Sequence, residues 1–394
     1  MKYDIIHLPK DKWKGTILPI KYTSHNYYDV SVLTQTQGYS IQIEKKMAIE
    51  PITHYPEEYD FPDKLYEDYW ESAYAWGIVI NDSLIAAIET CPETWSNRLR
   101  ITELWVDENY RKQGIGKSLI EIAKEQARLE RRRAIILETQ SCNENAIEFY
   151  QHVGFTLIGF DSCCYKNDDL HRKEVRLEFG WFPKKKIKLK RDDIEIRMET
   201  PKDYYQVELM TQRAFWNKFK PGCDEHYLVH QLRKDKSYLP SISRIACQDG
   251  EVIGAILYSK SMIVDGDNKY DVITFGPLCV DPDYQGCGVG ELLIKDTIQL
   301  AKEEGYKGIV IFGEPDYYPR FGFVNCENYQ ITTKEGKNFD AFMAYELIPN
   351  GFKGIKGKFH EADVFEHLIG SEVEAFNKKF PVIQLMKFPS HWGS

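Results

Sequence analysis

The chain has 394 residues and a formal net charge of −9, with 43% hydrophobic, 28% charged and 13% aromatic residues. That length suits two or three domains with substantial cores. The negative balance argues against a general nucleic-acid binder, whose affinity grows with Lys/Arg density, and suits a cationic partner. The N-terminus, MKYDIIHLPKDKWKG, has no apolar signal core. No run of about 18 apolar residues occurs, so no membrane span is expected. The nine cysteines include no C-x-x-C pair. Their odd count points to free thiols in a reducing cytoplasm, with neither a disulfide frame nor a metal site.

In chain order, the first distinctive segment is EEYDFPDKLYEDYWE (57–71), with seven carboxylates and five aromatics. It reads either as an acidic solvated helix or as a cation-attracting surface. WGIVINDSLIAAIE (76–89) reads as a β-hairpin turning at Asn81-Asp82. ITELWVDENYRKQGIGKSLIEIAKEQARLERRRAIILETQ (101–140) runs strand, polar turn, Gly-rich loop, amphipathic helix, strand. Tyr150 and Phe155 follow in YQHVGF. PKKKIKLKRDD (183–193) is a basic stretch expected to be a solvated linker or edge strand.

The pattern then returns. SRIACQDGEVIGAIL (243–257) is a second hairpin, turning at Asp249-Gly250. ITFGPLCVDPDYQGCGVGELLIKDTIQLAKEEGYKGIVIFGE (273–314) repeats the strand-loop-helix-strand order, and YPRFGF (318–323) repeats the tyrosine element. The loops open 174 residues apart, at Arg111 and Gln285. A repeat this long is a duplicated domain, because solenoid units recur every ~20–50 residues. Two α/β domains with mixed sheets are expected: residues 1–183 and 194–394, joined by a linker at 184–193. The tail (325–394), with a helical stretch at 362–380, reads as part of the second.

GIGKS in the first loop suggests a nucleotide P-loop. That motif needs Gly five residues before Gly116, where Arg111 stands. The second loop has Glu291 in place of Lys117. An NTPase is therefore disfavoured. The copies share [R/Q]-x-x-G-x-G: Arg111, Gly114 and Gly116; Gln285, Gly288 and Gly290. A Gly-rich turn before a helix bares backbone N–H groups at the positive helix end, a setting suited to a pyrophosphate.

That loop after a Val-Asp strand, with Asn143, Ala146, Tyr150, Gly154 and Phe155 following, resembles the GNAT superfamily of N-acetyltransferases. The likeness covers nearly the whole chain as two tandem domains, each with a mixed, mainly antiparallel sheet flanked by helices. The first domain is similar to the streptothricin acetyltransferases through LETQSCNENAIEFYQHVGFTLIGFD (137–161) and Glu103. The second resembles a different GNAT branch.

The resemblance implies acetyl-CoA as donor. Its pyrophosphate would sit on Arg111, Lys112, Gln113, Gly114, Ile115, Gly116 and Lys117, and in the second copy on Gln285, Gly286, Cys287, Gly288, Val289 and Gly290. The pantetheine arm would run along Leu104, Trp105 and Val106, or Leu278, Cys279 and Val280. Glu103 is the candidate base for the amine, and Tyr150 the candidate acid for the leaving thiolate. Asn143 would hold the cofactor arm or the helix start. Glu103 could instead be a cross-strand ion-pair residue, Tyr150 a packing residue and Asn143 only a helix cap. Tyr318 is the second domain's candidate acid. The Glu103 position there holds no carboxylate, and Pro315 shortens the helix before Tyr318.

The acidic 57–71 segment and Asp161 would face a cationic acceptor such as a streptothricin-like antibiotic, a polyamine or a lysine side chain. Aromatic faces there would add cation–π attraction. The competing readings are a CoA-binding sensor with one or both domains non-catalytic, and a protein-lysine acetyltransferase.

Overall fold

A computed structural model describes residues 3–55, 62–183, 189, 191–389 and 391. The chain divides into two compact units, Met1–Lys184 with Met386–Ser390, and Lys185–Leu385 with His391–Gly393. Among the described residues no helix is long and apolar enough to cross a membrane.

In the first unit the strands are β1 (Ile6–Leu8), β2 (Tyr22–Gln35), β3 (Gly38–His54), β4 (Tyr74–Ile80), β5 (Ser83–Glu93), β6 (Arg98–Val106), β7 (Ala134–Gln140), β8 (Thr156–Asp161) and β9 (Arg176–Trp181). The helices are α1 (Lys10–Trp13), α2 (Ile115–Leu129), α3 (Glu144–His152) and α4 (Asp169–Arg172). Seven strands form one sheet in the order β1-β4-β5-β6-β7-β9-β8. Only β6 and β7 pair in parallel. The β4–β5 turn takes Asn81 and Asp82 into the left-handed region, as a two-residue hairpin of this twist requires.

On one sheet face α2 buries Ile115, Leu119, Ile120 and Ala123 against Ile88, Ile101, Leu137 and the α3 residues Ile147 and Tyr150. The other face covers Ala87 and Trp105 with Leu8, Leu18, Leu65 and Tyr66. The β2–β3 ribbon forms its own two-stranded sheet. Lys45 on the ribbon ion-pairs with Glu144 and Glu148 of α3, each at 2.6 Å.

The end of the chain completes this core. The sequence reading placed the whole tail with the second unit. Met386–Ser390 instead groups with the first. Phe388 is fully buried against Trp76, ring centroids 5.6 Å apart, and Trp76 Nε1 donates to the Lys387 carbonyl at 3.1 Å. Burying two aromatics outweighs the cost of ordering five residues' worth of polar backbone only because both rings are removed from water. Phe388→Ala is expected to destabilise the first unit by about 3–5 kcal/mol, read as earlier loss of tryptophan fluorescence in urea.

The second unit holds β10 (Glu195–Arg197), β11 (Arg244–Gln248), β12 (Glu251–Asp265), β13 (Asn268–Val280), β14 (Gly308–Phe312), β15 (Val324–Asn325), β16 (Ile331–Thr332), β17 (Phe342–Glu346) and β18 (Gly357–His360). Its helices are α5 (Tyr204–Phe215), α6 (Glu225–Leu232), α7 (Val289–Glu303), α8 (Asp363–Glu366) and α9 (Gly370–Asn377). The main path is β10-β11-β12-β13-β14-β17-β15, and β18 pairs with β12. Here β13–β14 is the parallel pair of that path. The helical stretch expected at 362–380 is two short helices, α8 and α9. A break at His367–Ile369 lets Phe376 and Phe380 pack on Tyr227.

Candidate functional site

Both Gly-rich loops fold alike. Asp107 accepts from the Asn109 amide at 2.9 Å, and Asp281 accepts from the Asp283 amide at 3.0 Å. Arg111 Nε donates to the Val106 carbonyl at 3.0 Å, and Gln285 Nε2 donates to the Val280 carbonyl at 3.2 Å. The shared Arg/Gln position thus ties the loop to the end of the preceding strand. This accounts for its recurrence without any ligand.

Gly114 and Gly288 sit at φ +82° and +94°, each just ahead of a 15-residue helix. Among the described residues no protein acceptor meets the amides of Lys112, Gln113, Gly114, Ile115, Gly116 or Lys117. Open N–H groups on a left-handed turn at a long helix's positive end form an anion cradle. Gly114→Ala would force a Cβ into the left-handed region and cost about 1 kcal/mol or more. It is expected to weaken CoA binding several-fold in a calorimetric titration while leaving the melting temperature within a few degrees.

Ile115 and Val289 are buried and pin each helix start to its core. Trp105 and Cys279 are likewise buried, so only their backbones face the cleft strand's edge. Leu104, Val106, Leu278 and Val280 are half-buried, while Lys112, Gln113, Lys117 and Gly286 are exposed and Cys287 is intermediate.

The cleft arises where the parallel strands part. β6 pairs with β7 only at Arg98–Ala134, Leu99–Ile135 and Arg100–Ile136. Beyond Arg100, β6 keeps β5 on one edge through Val106 and, among the described residues, has no strand on the other. A bulge between Glu89 and Thr90 leaves Thr102 without its own partner and brings Glu89 opposite Glu103.

Glu89 is fully buried, accepting from the Tyr66 amide at 2.6 Å and from Thr102 Oγ1 at 2.8 Å. The Glu103 carboxylate has no hydrogen bond or ion pair among the described residues. Burial, then the charges of Asp63, Glu89, Glu138 and Glu67, hold its carboxyl well above the usual range. Like charges directly opposite on neighbouring strands repel, which favours a proton on one of them.

Tyr150 lies in α3 against Phe149, Phe155 and Phe179. Burial raises its phenol, with Glu103 and Glu138 acting in the same direction. A tyrosine so placed keeps its proton at neutral pH. Asn143 accepts from the Ala146 amide at 3.2 Å, so it caps α3.

Glu138 was missed as a site residue, although LETQ was singled out. It stands on β7 two residues past the last β6 pair. Arg176 Nε holds it at 2.5 Å, and Arg176 also meets Glu178 at 2.9 Å. Leu137 faces the α2 core, so Glu138 lies on the opposite sheet face. Glu89, Glu103 and Glu138 therefore share one face of three neighbouring strands. Only the topology reveals this.

Part of the acidic segment bears on the same place. Tyr59 and Phe61, with the carboxylates at 57, 58 and 60, lie outside the described residues. Asp63 and Glu67 add to the field at Glu103. Asp68 is taken up by Lys14 at 2.5 Å, and Asp161 accepts from its own turn's Cys163 amide at 3.0 Å.

The second unit keeps the loop and replaces the carboxylates. β13 meets β14 at Ile273–Ile309. By register, Glu89, Glu103 and Glu138 correspond to Leu257, Pro277 and Phe312. Tyr318 is buried among Phe275, Tyr317 and Phe323, and burial raises its phenol. Pro319 and the preceding residues leave a short 3-10 turn at Tyr318–Phe321 where the first unit has α3. Tyr317 reaches the helix start, its hydroxyl 2.6 Å from where a Cβ on Gly290 would stand.

Residues 42–155 and 207–323 each match the acetyltransferase (GNAT) family model, together more than half of the chain. The N-acetyltransferase YhbS of Escherichia coli K12, itself uncharacterised, is 29% identical over 169 residues, spanning 42% of this chain and 96% of that protein. A streptothricin acetyltransferase of Escherichia coli is 31% identical over 137 residues, spanning 35% of this chain and 76% of that protein. The crystal structure of Escherichia coli YhbS in complex with CoA aligns with 45% of this chain and 94% of its own, at 26% identity and a TM-score of 0.40.

Proposed function

The chain belongs to the GNAT family of acetyltransferases, and from that premise we propose that its first unit transfers an acetyl group from acetyl-CoA to a primary amine of a cationic small molecule. The carrying observation is the set of three carboxylates on one sheet face, Glu89, Glu103 and Glu138, where β6 leaves β7. A cationic amine is drawn to such a group of charges.

The residues present fit the donor. The open amides of 112–117 and the α2 N-terminus suit its pyrophosphate. The unpaired edge of β6 suits an extended arm that pairs as a strand would. Acetyl-CoA, when bound, supplies an activated acyl carbonyl. Around it, backbone N–H groups of Leu104–Val106 are placed to stabilise developing negative charge. Glu103, held high by burial and neighbouring carboxylates, is suited to take the ammonium proton near neutral pH. Tyr150 is suited to give a proton to the departing sulfur. Asn143 acts through α3 as its cap. Arg111 acts through the loop it ties down.

A thiol-release assay with acetyl-CoA and a panel of amines, streptothricin and spermidine included, tests this reading. Release with cationic amines and none with neutral analogues is expected. Equal rates with both would overturn the acceptor assignment. Because both loops keep a left-handed glycine ahead of a 15-residue helix, two CoA molecules should bind per chain in calorimetry. One per chain would mean that one loop is vestigial.

A further inference from the structure

We propose that the second unit carries its own amine-binding site, formed by the hydroxyls of Ser259 and Ser261 and the carboxylate of Glu361, on one face of β12 and its neighbour β18. The inference rests on reading the chain as an amine acetyltransferase. It supplies what the second copy lacks, a carboxylate in place of Glu103.

Strand geometry brings these groups together. On β12, Leu257, Ser259, Ser261 and Ile263 point to one face and Tyr258 to the other. Ser259 lies opposite Thr274 and Ser261 opposite Val272. On the other edge of β12, His360 of β18 pairs with Met262, so Glu361 follows at the level of Ser261, on the face of Phe359. Two residues on, α8 begins, and its Phe365 comes within 3.0 Å of where a Cβ on Gly276 would stand. Gly276 and Pro277 occupy the strand position of Thr102 and Glu103. Phe365, four residues after Glu361, therefore lies over the part of β13 that corresponds to the first unit's open strand edge, and Ser259 and Ser261 lie beside it, opposite Thr274 and Val272.

The second observation is chemical. The Ser259 and Ser261 side chains are 0% and 4% exposed, and neither hydroxyl has a protein partner. Glu361 has no hydrogen bond or ion pair among the described residues. Buried hydroxyls and a half-buried carboxyl each cost free energy when unpaired. An ammonium offers three N–H donors, matching one carboxylate and two hydroxyl oxygens. Glu361 lies beyond residues 207–323, outside the family match.

Burial first, then Glu366, raises the Glu361 carboxyl to about 7. Glu366 is itself paired with Lys334 at 2.9 Å. Asp363 follows two residues on at the start of α8, and Lys260 and His360 alternate to the opposite faces of β12 and β18. Ammonium binding should therefore strengthen as Glu361 ionises, rising from pH 6 to pH 8.

The test is calorimetric titration of the full chain with butylamine and with spermidine. Wild type should bind two amines per chain, and Glu103→Gln should leave one. In that background, Glu361→Gln should weaken the remaining site ~10–100-fold, the worth of one hydrogen bond to a charged group. Ser261→Val should weaken it less. Two CoA sites retained in each variant would report an intact fold. The remaining site should also lose its dependence on pH between 6 and 8. A single amine site in wild type, or a second site indifferent to both substitutions, would overturn the proposal. Thiol release is read separately: its absence in wild type would sink the acetyltransferase reading, whatever the amine stoichiometry.

Discussion

Glu103→Gln is expected to lower turnover of the first unit by ~10²–10⁴-fold, the span of general base catalysis, while making the protein more stable at pH 8. The two effects have one cause. The folded state holds the Glu103 carboxyl well above its unfolded value, because burial and four neighbouring carboxylates disfavour the charge. A carboxyl raised on folding binds its proton more tightly in the native state. Its ionisation then costs native stability as pH rises from the unfolded value, ~4.3, through the raised one. Below pH 4 both states are protonated and the effect vanishes. Glutamine keeps the shape and drops the charge. Thermal melts should therefore show a higher midpoint for the variant at pH 8 and no gain at pH 4. An unchanged midpoint at pH 8 would mean that Glu103 is not held among like charges. Loss of both stability and activity would make its charge a requirement of the fold.

Tyr150→Phe is the second large effect. The ring packs against Phe149, Phe155 and Phe179, and phenylalanine preserves that packing. Only the hydroxyl goes. Turnover should fall at least ~10²-fold, the low end for an acid catalyst, with CoA affinity and melting temperature little changed. Full activity in the variant would leave Tyr150 a core residue and nothing more. Tyr318→Phe is the matching control in the second unit, where the hydroxyl is buried in the same way.

Much of this was legible in the sequence because its signals are local. The left-handed glycines, the hairpin turns and the amphipathic helices each follow from residues within a few positions of one another. Repetition separated the informative loop letters from the incidental Lys117 and Ser118. The site was less legible. Glu138 reads as one polar residue in a strand until β6 and β7 are seen to part at Arg100–Ile136. Glu361 sits in a tail whose pairing with β12 spans nearly a hundred residues. The β2–β3 ribbon went unread for another reason. Val30 and Val32 alternate opposite Ile43 and Ile41, but charged and polar residues dominate the rest of both strands. Phe388 likewise gave no sign, since its partner Trp76 is three hundred residues away. The recurring Arg111 and Gln285 read as loop letters in the sequence, and the structure adds that their side chains hold the strand end.

The duplication also separates two roles. The proposed pyrophosphate cradle would depend on backbone amides and tolerate changed side chains, and both copies keep the left-handed glycine ahead of a long helix. The acceptor face depends on particular side chains, and there the copies differ at every carboxylate. Loss of these carboxylates with the loop kept is what retention of the donor with a change of acceptor would leave, and the shortened turn at Tyr318–Phe321 is a further difference.

The most direct measurement is mass spectrometry of a cationic amine incubated with the full chain and acetyl-CoA at pH 8. The account expects an acetylated amine from wild type, and almost none once Tyr318→Phe is added to the Glu103→Gln, Tyr150→Phe double variant. CoA bound at the loops with no acetylated product from any amine would contradict it and make the chain a CoA-binding sensor.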